Sequence, residues 1–587
     1  MVEPRFRWIF PDVLQPSPSA LSVAAERGIS PRLAGLLAAR GAVTGDDLVA
    51  WFADPLDGLH DPALLPDADL MLARLRVARD REERILVFGD FDADGLTGLA
   101  IMTIALRRFG VTVEPYVPSR LDEGHGLSMA ALDAAVRSGA TVIVTVDCGT
   151  TSVVEIAAAN ERGIDVIVTD HHRVPAVLPA ALAIVNPHRP DSIYPDRRLA
   201  GSGVAFKVAQ LLLGDEPGGA AAALDLTDLA TIGTVADVAP VVGENRSIAR
   251  LGLDRMRRAP RPGIAALLER ARIAANAVDL ETVSFAIAPR LNAAGRVGEA
   301  LEAARLLLAE DPEEAAVHAD ALETANLTRR DLMKAAVAEA RAVVGDASTD
   351  AATVIRGPWG VGIVGLVAAR LAEDHGRPAV VGADLGDVVR ASCRSDGSLD
   401  LGATLERCAD LFIRSGGHAG AAGFELAADR WDEFRERFLR LAAETAPADP
   451  RVSIPIDLAL PAGEVDYDLY RELSGLAPCG PGNRDPSVAV LGLTVTRVRA
   501  ATGGHTQLTL RRERDVLDGI AFGRPDIAEV VREGDRLDVV ARLTSRRFGG
   551  YESLQLEIRD VATSGSHPAS AAVMAARDAR ALVGSAP

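Results

Sequence analysis

The chain has 587 residues, of which 48% are hydrophobic and 25% charged, and a formal net charge of −19 at pH 7. That length exceeds a single core and points to roughly three or four domains, while the excess of acid argues against a protein that coats nucleic acid over its whole surface, because such binding neutralises phosphates with cations. No apolar run reaches the roughly 18 to 20 residues of a membrane span, and the four dispersed cysteines, with no Cys-x-x-Cys, exclude a zinc ribbon and disfavour a disulfide framework.

The start, Met1 to Trp8, lacks the apolar core of a secretion signal, so the cytoplasm is the expected compartment. Residues 1–75 carry short helical patterns rich in Pro, Leu and Asp and are read as an N-terminal arm. From residue 76 to about 265, β-rich runs (Ile85–Phe88, Val111–Val117, Thr141–Val146, Asp165–Thr169, Leu182–Val185) alternate with amphipathic helices (Thr97–Phe109, Met129–Ser138, Ser152–Arg162). This alternation predicts an α/β domain with a parallel sheet covered by helices on both faces.

Such a sheet places its ligand site beyond the carboxyl ends of the strands, and the acids fall there. The first strand runs into Asp90, Asp92 and Asp94, the third into Asp147, the fourth into Asp170-His171-His172, and Asp237 follows another apolar segment. Three carboxylates on alternate positions repel one another unless a cation sits among them. An isolated Asp-x-Asp-x-Asp-Gly is also compatible with a solvated turn, and a single strand-end Asp with a helix cap. An EF-hand is excluded, because the loop lacks a Glu at its twelfth position. Four chain segments delivering Asp or His to one edge favour a paired manganese or magnesium site, and the surplus of carboxylates fits zinc less well.

The ordered set Gly89-Asp90-Phe91-Asp92-Ala93-Asp94-Gly95, Val146-Asp147-Cys148-Gly149, Asp170-His171-His172, Gly201-Ser202-Gly203-Val204-Ala205-Phe206-Lys207 and Gly233-Thr234-Val235-Ala236-Asp237 closely resembles the motifs of the DHH phosphoesterases. Within that family the resemblance is to the bacterial exonucleases specific for single-stranded DNA, acting 5′ to 3′. It continues through Pro289-Arg290-Leu291-Asn292-Ala293-Ala294-Gly295-Arg296 and covers the chain from about 80 to 560.

Residues 266–350 read as a helical connector, and 351–445 as a second α/β domain resembling the DHH-associated substrate domain. There Ala391-Ser392-Cys393-Arg394-Ser395 stands in place of the family's Gly-Ser-x-Arg-Ser signature, and Gly416-Gly417-His418 forms its Gly-Gly-His turn. Two departures stand out. Trp359-Gly360-Val361-Gly362-Ile363 replaces the family's Trp-His-x-Gly-Val, and Cys393 and Ser415 replace residues that are often Gly and an aromatic.

Residues 446–562 are β-rich, with five predicted strands (Val488–Val498, His505–Leu510, Val516–Phe522, Leu537–Leu543, Ser553–Ile558) suited to an OB-like barrel. Arg497, Arg499, Arg511, Arg512, Arg514, Arg542, Arg546 and Arg547, with Phe548 and Tyr551, offer cations and stacking faces for a single strand, although exposed arginines on a β-surface are often simply solvated. A second arginine-rich stretch, Arg246 to Arg272, has few acids of its own. Residues 563–587 read as a flexible tail.

By the resemblance, two ions, Mn2+ or Mg2+, are held by Asp90, Asp92, Asp94, Asp147, His171 and Asp237. Asp147 bridges them, Asp92 serves the first, Asp94, His171 and Asp237 the second, and Asp90 completes the first site or orients a bound water. His172 faces the substrate. Arg120, Arg296, Ser392 and Arg394 take the terminal 5′-phosphate, with Gly416, Gly417 and His418 beside the scissile or adjacent phosphate. The implied activity is two-metal hydrolysis of single-stranded DNA to mononucleotides, in DNA repair and recombination. The implied enzyme is a monomer whose candidate protein partners are a single-strand-binding protein and a helicase. Two alternatives stay open: a phosphodiesterase of short oligoribonucleotides or cyclic dinucleotides, and a non-catalytic DNA-binding replication scaffold.

Overall fold

The computed structural model describes residues 2–10, 16–120, 123–345, 350–445, 449, 451–548 and 551–567. The chain divides into two compact units, one of Asp54–Ala448 with Gly480–Gly482, the other of Met1–Ala53, Asp449–Cys479 and Asn483–Pro587. No helix among the described residues is long and apolar enough to cross a membrane.

The larger unit is built on a parallel five-stranded sheet in the order Thr112–Tyr116, Arg84–Gly89, Ala140–Val146, Asp165–Thr169, Ala183–Val185. The α/β fold expected from the alternating pattern is therefore present. Ile85 and Val87 enter one core and Leu86 and Phe88 another. Both faces of this strand are covered, which is why it reads as an unbroken apolar run and not as an alternation. Strand order reverses between Arg84–Gly89 and Ala140–Val146, and the crevice at their carboxyl ends is where such sheets bind ligands.

The stretch 266–350 is helical, but only its second half is one long helix, Pro312–Val344. Before it come Ala288–Val297 and Ala300–Leu308, which with the turn Val283–Ile287 give Val283, Ile287, Leu291 and Leu307 to the same core as Ile85. Val283–Ile287 is a widened, π-helical turn. Pro289 has no N–H to offer the preceding turn. Arg290 compensates, donating from Nη1 to the Ala286 carbonyl (2.7 Å) while its Nε is held by Glu323 of the long helix (2.6 Å).

The second sheet of this unit pairs Thr353–Gly357 and Ala379–Asp384 in parallel, then adds Val388–Arg394, Ala421–Ala427 and Phe412–Gly417 antiparallel. The long helix and this lobe share a core, where buried Trp359 donates its indole N–H to Glu339 (2.9 Å).

In the smaller unit, strands Val488–Ala501, His505–Arg512, Asp515–Ala521, Tyr551–Thr563 and Arg536–Phe548 pair in succession. The last closes back on the first, giving a five-stranded barrel. The N-terminal residues are part of this unit and not a separate arm. Arg7–Ile9 pairs in parallel with Ser453–Pro455, buried Asp560 accepts from the Phe6 N–H (3.0 Å) and the Trp8 indole (2.8 Å), and Leu36, Leu37 and Leu48 join the barrel core. Of the expected tail, 563–567 are described.

Candidate metal centre and substrate pocket

Each acid is placed by the end of an element. Asp90 follows the first strand, buried, with the Nδ1–H of His125 donating to its Oδ2 at 2.8 Å. Asp92 caps the helix Ala93–Arg108, its Oδ1 accepting from the N–H groups of Asp94 and Gly95 at 3.0 and 3.1 Å. Asp94 is buried and accepts from the N–H groups of Gly201 (2.7 Å) and Ser202 (3.0 Å), the first residues of the helix Gly201–Leu213. The positive end of that helix suits a carboxylate.

Asp147 follows the third strand with φ +62, in the left-handed region that Asp tolerates better than most residues. A Cβ on Gly201 would stand 2.6 Å from that of Asp147, so the two segments approach only because Gly201 has no side chain. His171 places Nε2 3.0 Å from Asp147 and 3.8 Å from Asp94, and Nδ1 3.9 Å from Asp237. Asp170 points the other way. Its Oδ1 accepts from the His171 N–H, the His172 N–H and His172 Nδ1–H at 2.7, 3.1 and 2.8 Å, and its Oδ2 accepts from Thr150 N–H at 3.0 Å. Burial would raise this carboxyl, but the bond from His172 and its other partners hold it well below the usual range. The same bond pushes His172 up to about 9.

The ligand atoms gather in three trios, each within 4.8 Å: Asp90, Asp92 and Asp147; Asp94, His171 and Asp237; Asp147, His171 and His172. Asp147 is common to two of them. Burial, then Asp90 and Asp94, raises Asp92 to about 6. Burial, then Asp94, raises Asp237 to about 7, and Asp147 lies well above 3.8 for the same kind of reason. Asp90 Oδ1, Asp147 Oδ1 and His171 Nε2 are buried and make no hydrogen bond, the last two facing each other at 3.0 Å without hydrogen-bond alignment. Crowded, desolvated carboxylates with lone pairs left out of hydrogen bonds are suited to a cation, and oxygen ligands with one or two imidazoles suit Mn2+ or Mg2+.

A second cluster lies beside the first. Arg120 stacks over Phe91, its guanidinium carbon 4.9 Å from the ring centre, and feels Asp92 and Asp90. Arg296 donates to the Gly362 carbonyl at 2.9 Å. Burial, then Arg120, Arg329 and Arg394, lowers it to about 9. Ser392 and Arg394 reach the same helix, Val361–His375, about one turn further on, where a Cβ on Gly365 would lie 3.4 Å from Ser392 Oγ and 3.1 Å from Arg394 Nη2. The helix start carries no side-chain cap, and the space at Gly360, where the family has His, is open. Gly416, Gly417 and His418 are exposed at a hairpin tip, closed by the His418 N–H on the Ala421 carbonyl (2.8 Å).

Sequence reasoning missed His125, the orienting role of Asp170, Arg329 and Asn292, whose Oδ1 accepts the N–H of Ala93 at 2.9 Å. Only Asp170 and Asn292 had a signal, lying inside quoted motifs. Lys207, also inside a motif, is a fully buried structural residue bonded to Glu244 (2.9 Å) and the His60 carbonyl (2.6 Å).

On the barrel, Arg497, Arg499 and Arg546 line a polar cleft of about 210 Å³ with Gln507, Asp518 and Gln555. Arg542 instead lies 3.7 Å from Asp485, and Arg512 donates to the Leu491 carbonyl (2.9 Å). The side chains of Arg547, Phe548 and Tyr551 lie outside the described residues. The arginines of the 246–272 stretch are largely paired, as with Arg255 and Asp225 (2.6 Å) and Arg261 and Asp228 (2.8 Å).

A parallel sheet that gathers Asp-x-Asp-x-Asp and Asp-His-His at one edge, followed by a second α/β lobe, is the architecture of the DHH class. Family models agree: the DHH family N-terminal domain matches residues 84–234, the DHHA1 domain 350–444 and the RecJ OB domain 456–560. The chain is 33% identical to the single-stranded-DNA-specific exonuclease RecJ of Bacillus subtilis, over 96% of this chain and 72% of that protein. It is 35% identical to RecJ of Dickeya dadantii, over 86% and 92%. The crystal structure of Thermus thermophilus RecJ with Mn2+ superposes with a TM-score of 0.80 at 30% identity, covering 96% of this chain and 80% of that one. The Mg2+ complex gives 0.74 at 29%, covering 95% and 78%. The chain belongs to the RecJ family.

Proposed function

We propose that this chain is a metal-dependent exonuclease that hydrolyses single-stranded DNA from the 5′ end to mononucleotides, in DNA repair and recombination. The observation that carries the reading is the pairing of two clusters: trios of carboxylates and imidazoles, two of which share Asp147, and beside them Arg120, Arg296 and Arg394, like charges that disfavour one another and suit an anion. The relatives' names, single-stranded-DNA-specific exonuclease, support it, as do the Mn2+ and Mg2+ complexes of the Thermus protein.

Asp90, Asp92 and Asp147 would hold one cation, and Asp94, His171, Asp237 and Asp147 the other. When bound, such a pair supplies Lewis acidity at the phosphoryl oxygens and acidifies an attacking water. The chain's own groups do the rest. Asp170 fixes the ring of His172 through Nδ1, so a pKa near 9 keeps it an imidazolium at neutral pH. Its other nitrogen is then a donor for a non-bridging oxygen or the departing 3′-oxygen. Arg120, Arg296 and Arg394, with the Ser392 hydroxyl, bind the terminal phosphate, whose charge and oxygens match several guanidinium groups. Gly416, Gly417 and His418 contact the scissile or adjacent phosphate.

A monomeric, cytoplasmic enzyme working with a single-strand-binding protein and a helicase belongs to the same reading. Incubation with a 5′-phosphorylated single strand, a duplex and a cyclic dinucleotide, with Mn2+ or with chelator, tests it. Metal-dependent release of mononucleotides from the single strand alone is expected. Exclusive turnover of the cyclic dinucleotide, or none of any substrate by folded metal-loaded protein, would overturn it in favour of the phosphodiesterase or the scaffold.

A further inference from the structure

The helix Ala288–Val297 touches both clusters. One turn separates Asn292 from Arg296, so the two side chains project from the same helix face. Asn292 Oδ1 accepts the N–H of Ala93 at 2.9 Å, at the start of the helix that Asp92 caps, and Arg296 donates to the Gly362 carbonyl. Between them Gly295 lies against the metal loop so closely that a Cβ would stand 2.9 Å from the Phe91 carbonyl oxygen. Phe91 in turn carries Arg120 on its ring.

Asn292 has a specific electrostatic task here. Ala93 is fully buried, and a buried N–H without an acceptor is expensive. Asp92 already accepts from Asp94 and Gly95 through one oxygen. Asn292 satisfies the Ala93 N–H without drawing on the Asp92 carboxylate, whose Oδ1 is engaged by Asp94 and Gly95. Asn292 thus leaves the second oxygen of Asp92 free. The stretch from Asn292 to Arg296 spans about 6 Å of helix axis at 1.5 Å per residue, the scale of one nucleotide step along a strand.

We infer that Asn292 is a positioning residue and that, with Gly295, it fixes the spacing between the metal centre and the terminal-phosphate pocket, so that the bond cut is the one a single nucleotide from the 5′ end. This rests on the reading of Arg120, Arg296, Ser392 and Arg394 as the 5′-phosphate pocket. A loss of packing alone would lower activity without moving the cut. A change in spacing moves the cut.

The test compares the full-length wild type with Asn292→Ala, which removes the acceptor, and Gly295→Ala, which leaves Asn292 intact but pushes the helix off Phe91. Product length on a 5′-phosphorylated single strand is read by mass spectrometry, the kcat/KM ratio of 5′-phosphate over 5′-hydroxyl strands by initial rates, and Mn2+ binding by loss of the free-ion EPR signal. Both variants should lose at least tenfold in that ratio and release dinucleotides alongside mononucleotides, and Asn292→Ala should also bind Mn2+ at least tenfold more weakly. If the wild type itself ignores the 5′-phosphate, the pocket reading fails and this inference with it. If the wild type discriminates and a folded variant keeps its product length and its ratio, this inference alone is overturned. Should one variant not fold, the other decides.

Discussion

The metal cluster and the arginine pocket are both crowds of like charge, yet they are assembled in opposite ways. The acids stand on strand ends and helix caps, held by backbone N–H groups of Asp94, Gly95, Gly201 and Ser202. The arginines come on long side chains from a loop, a helix and a strand, and hold one another at bay with few bonds of their own. Desolvation raises the carboxyls and lowers the guanidiniums, so each crowd is stabilised by the ligand of opposite sign. The difference teaches that the first site is set by the backbone, where single changes are felt all or none. The second is set by side chains, where single changes should act by degrees.

The largest break in that contrast is Asp147→Ala, which removes the carboxylate common to two trios. Hydrolysis should fall by about a thousandfold or more, on the scale of deleting a central electrostatic group, with the far-ultraviolet circular dichroism unchanged. Residual turnover within tenfold of wild type would remove Asp147 from the centre of the site. Arg394→Ala should act by degree. Losing a charge-assisted bond worth about 1.5–3 kcal/mol lowers the preference for 5′-phosphorylated over 5′-hydroxyl strands by about ten- to a hundredfold, read from paired initial rates, while turnover of the hydroxyl strand stays close to wild type.

Metal binding sharpens the comparison by pH. Asp92 and Asp237 titrate near 6 and 7 in the fold against an ordinary 3.8. A carboxyl raised in this way favours the folded state while protonated, and that contribution is lost as pH rises from about 4 through the folded values. The chelated protein should therefore lose thermal stability between pH 5 and pH 8, and Mn2+ should restore it. At a concentration a hundred times its Kd the ion adds about 2.7 kcal/mol, and the Mn2+-induced rise in Tm should be larger at pH 8 than at pH 5. Equal shifts at both would show that these carboxyls do not meet the ion. The smallest effect is expected on the barrel, where changing Arg497 and Arg499 together to Ala should lessen the slope of log affinity against log salt by about 1.4 if each meets one phosphate of a single strand. An unchanged slope in filter binding would mean the cleft does not face the strand.

The acids were legible because alternate spacing after an apolar run leaves few structural options, and Asp147 and His171 fall at the same sheet edge for the same reason. The parallel sheet was legible too, since its strands are buried on both faces. Arg120, Arg296 and Arg394 carry no spacing signal and emerged only through the family resemblance, because three segments meet there in space and not in sequence. His125 is a single polar residue in a loop, identical on paper to a solvated one. The 246–272 stretch reads as basic partly because the acids that neutralise Arg255 and Arg261, Asp225 and Asp228, precede it by a helix or more. The N-terminal segment was read as an arm because a three-residue strand has no periodicity and its partner, Ser453–Pro455, is far away in sequence.

That pairing has a consequence for how the protein is made. The smaller unit takes its first piece, Met1–Ala53, from the start of the chain and the rest from Asp449 onward. Roughly 400 residues separate the two, and at about 5–20 residues per second of synthesis the opening segment waits on the order of tens of seconds for its partners. During that interval Leu36, Leu37 and Leu48 have no barrel to cover them, while the larger unit emerges complete but for Gly480–Gly482 and is free to fold first. The ribosome thus delivers the nuclease lobe before the barrel, and these leucines wait for cover that only the last part of the chain supplies.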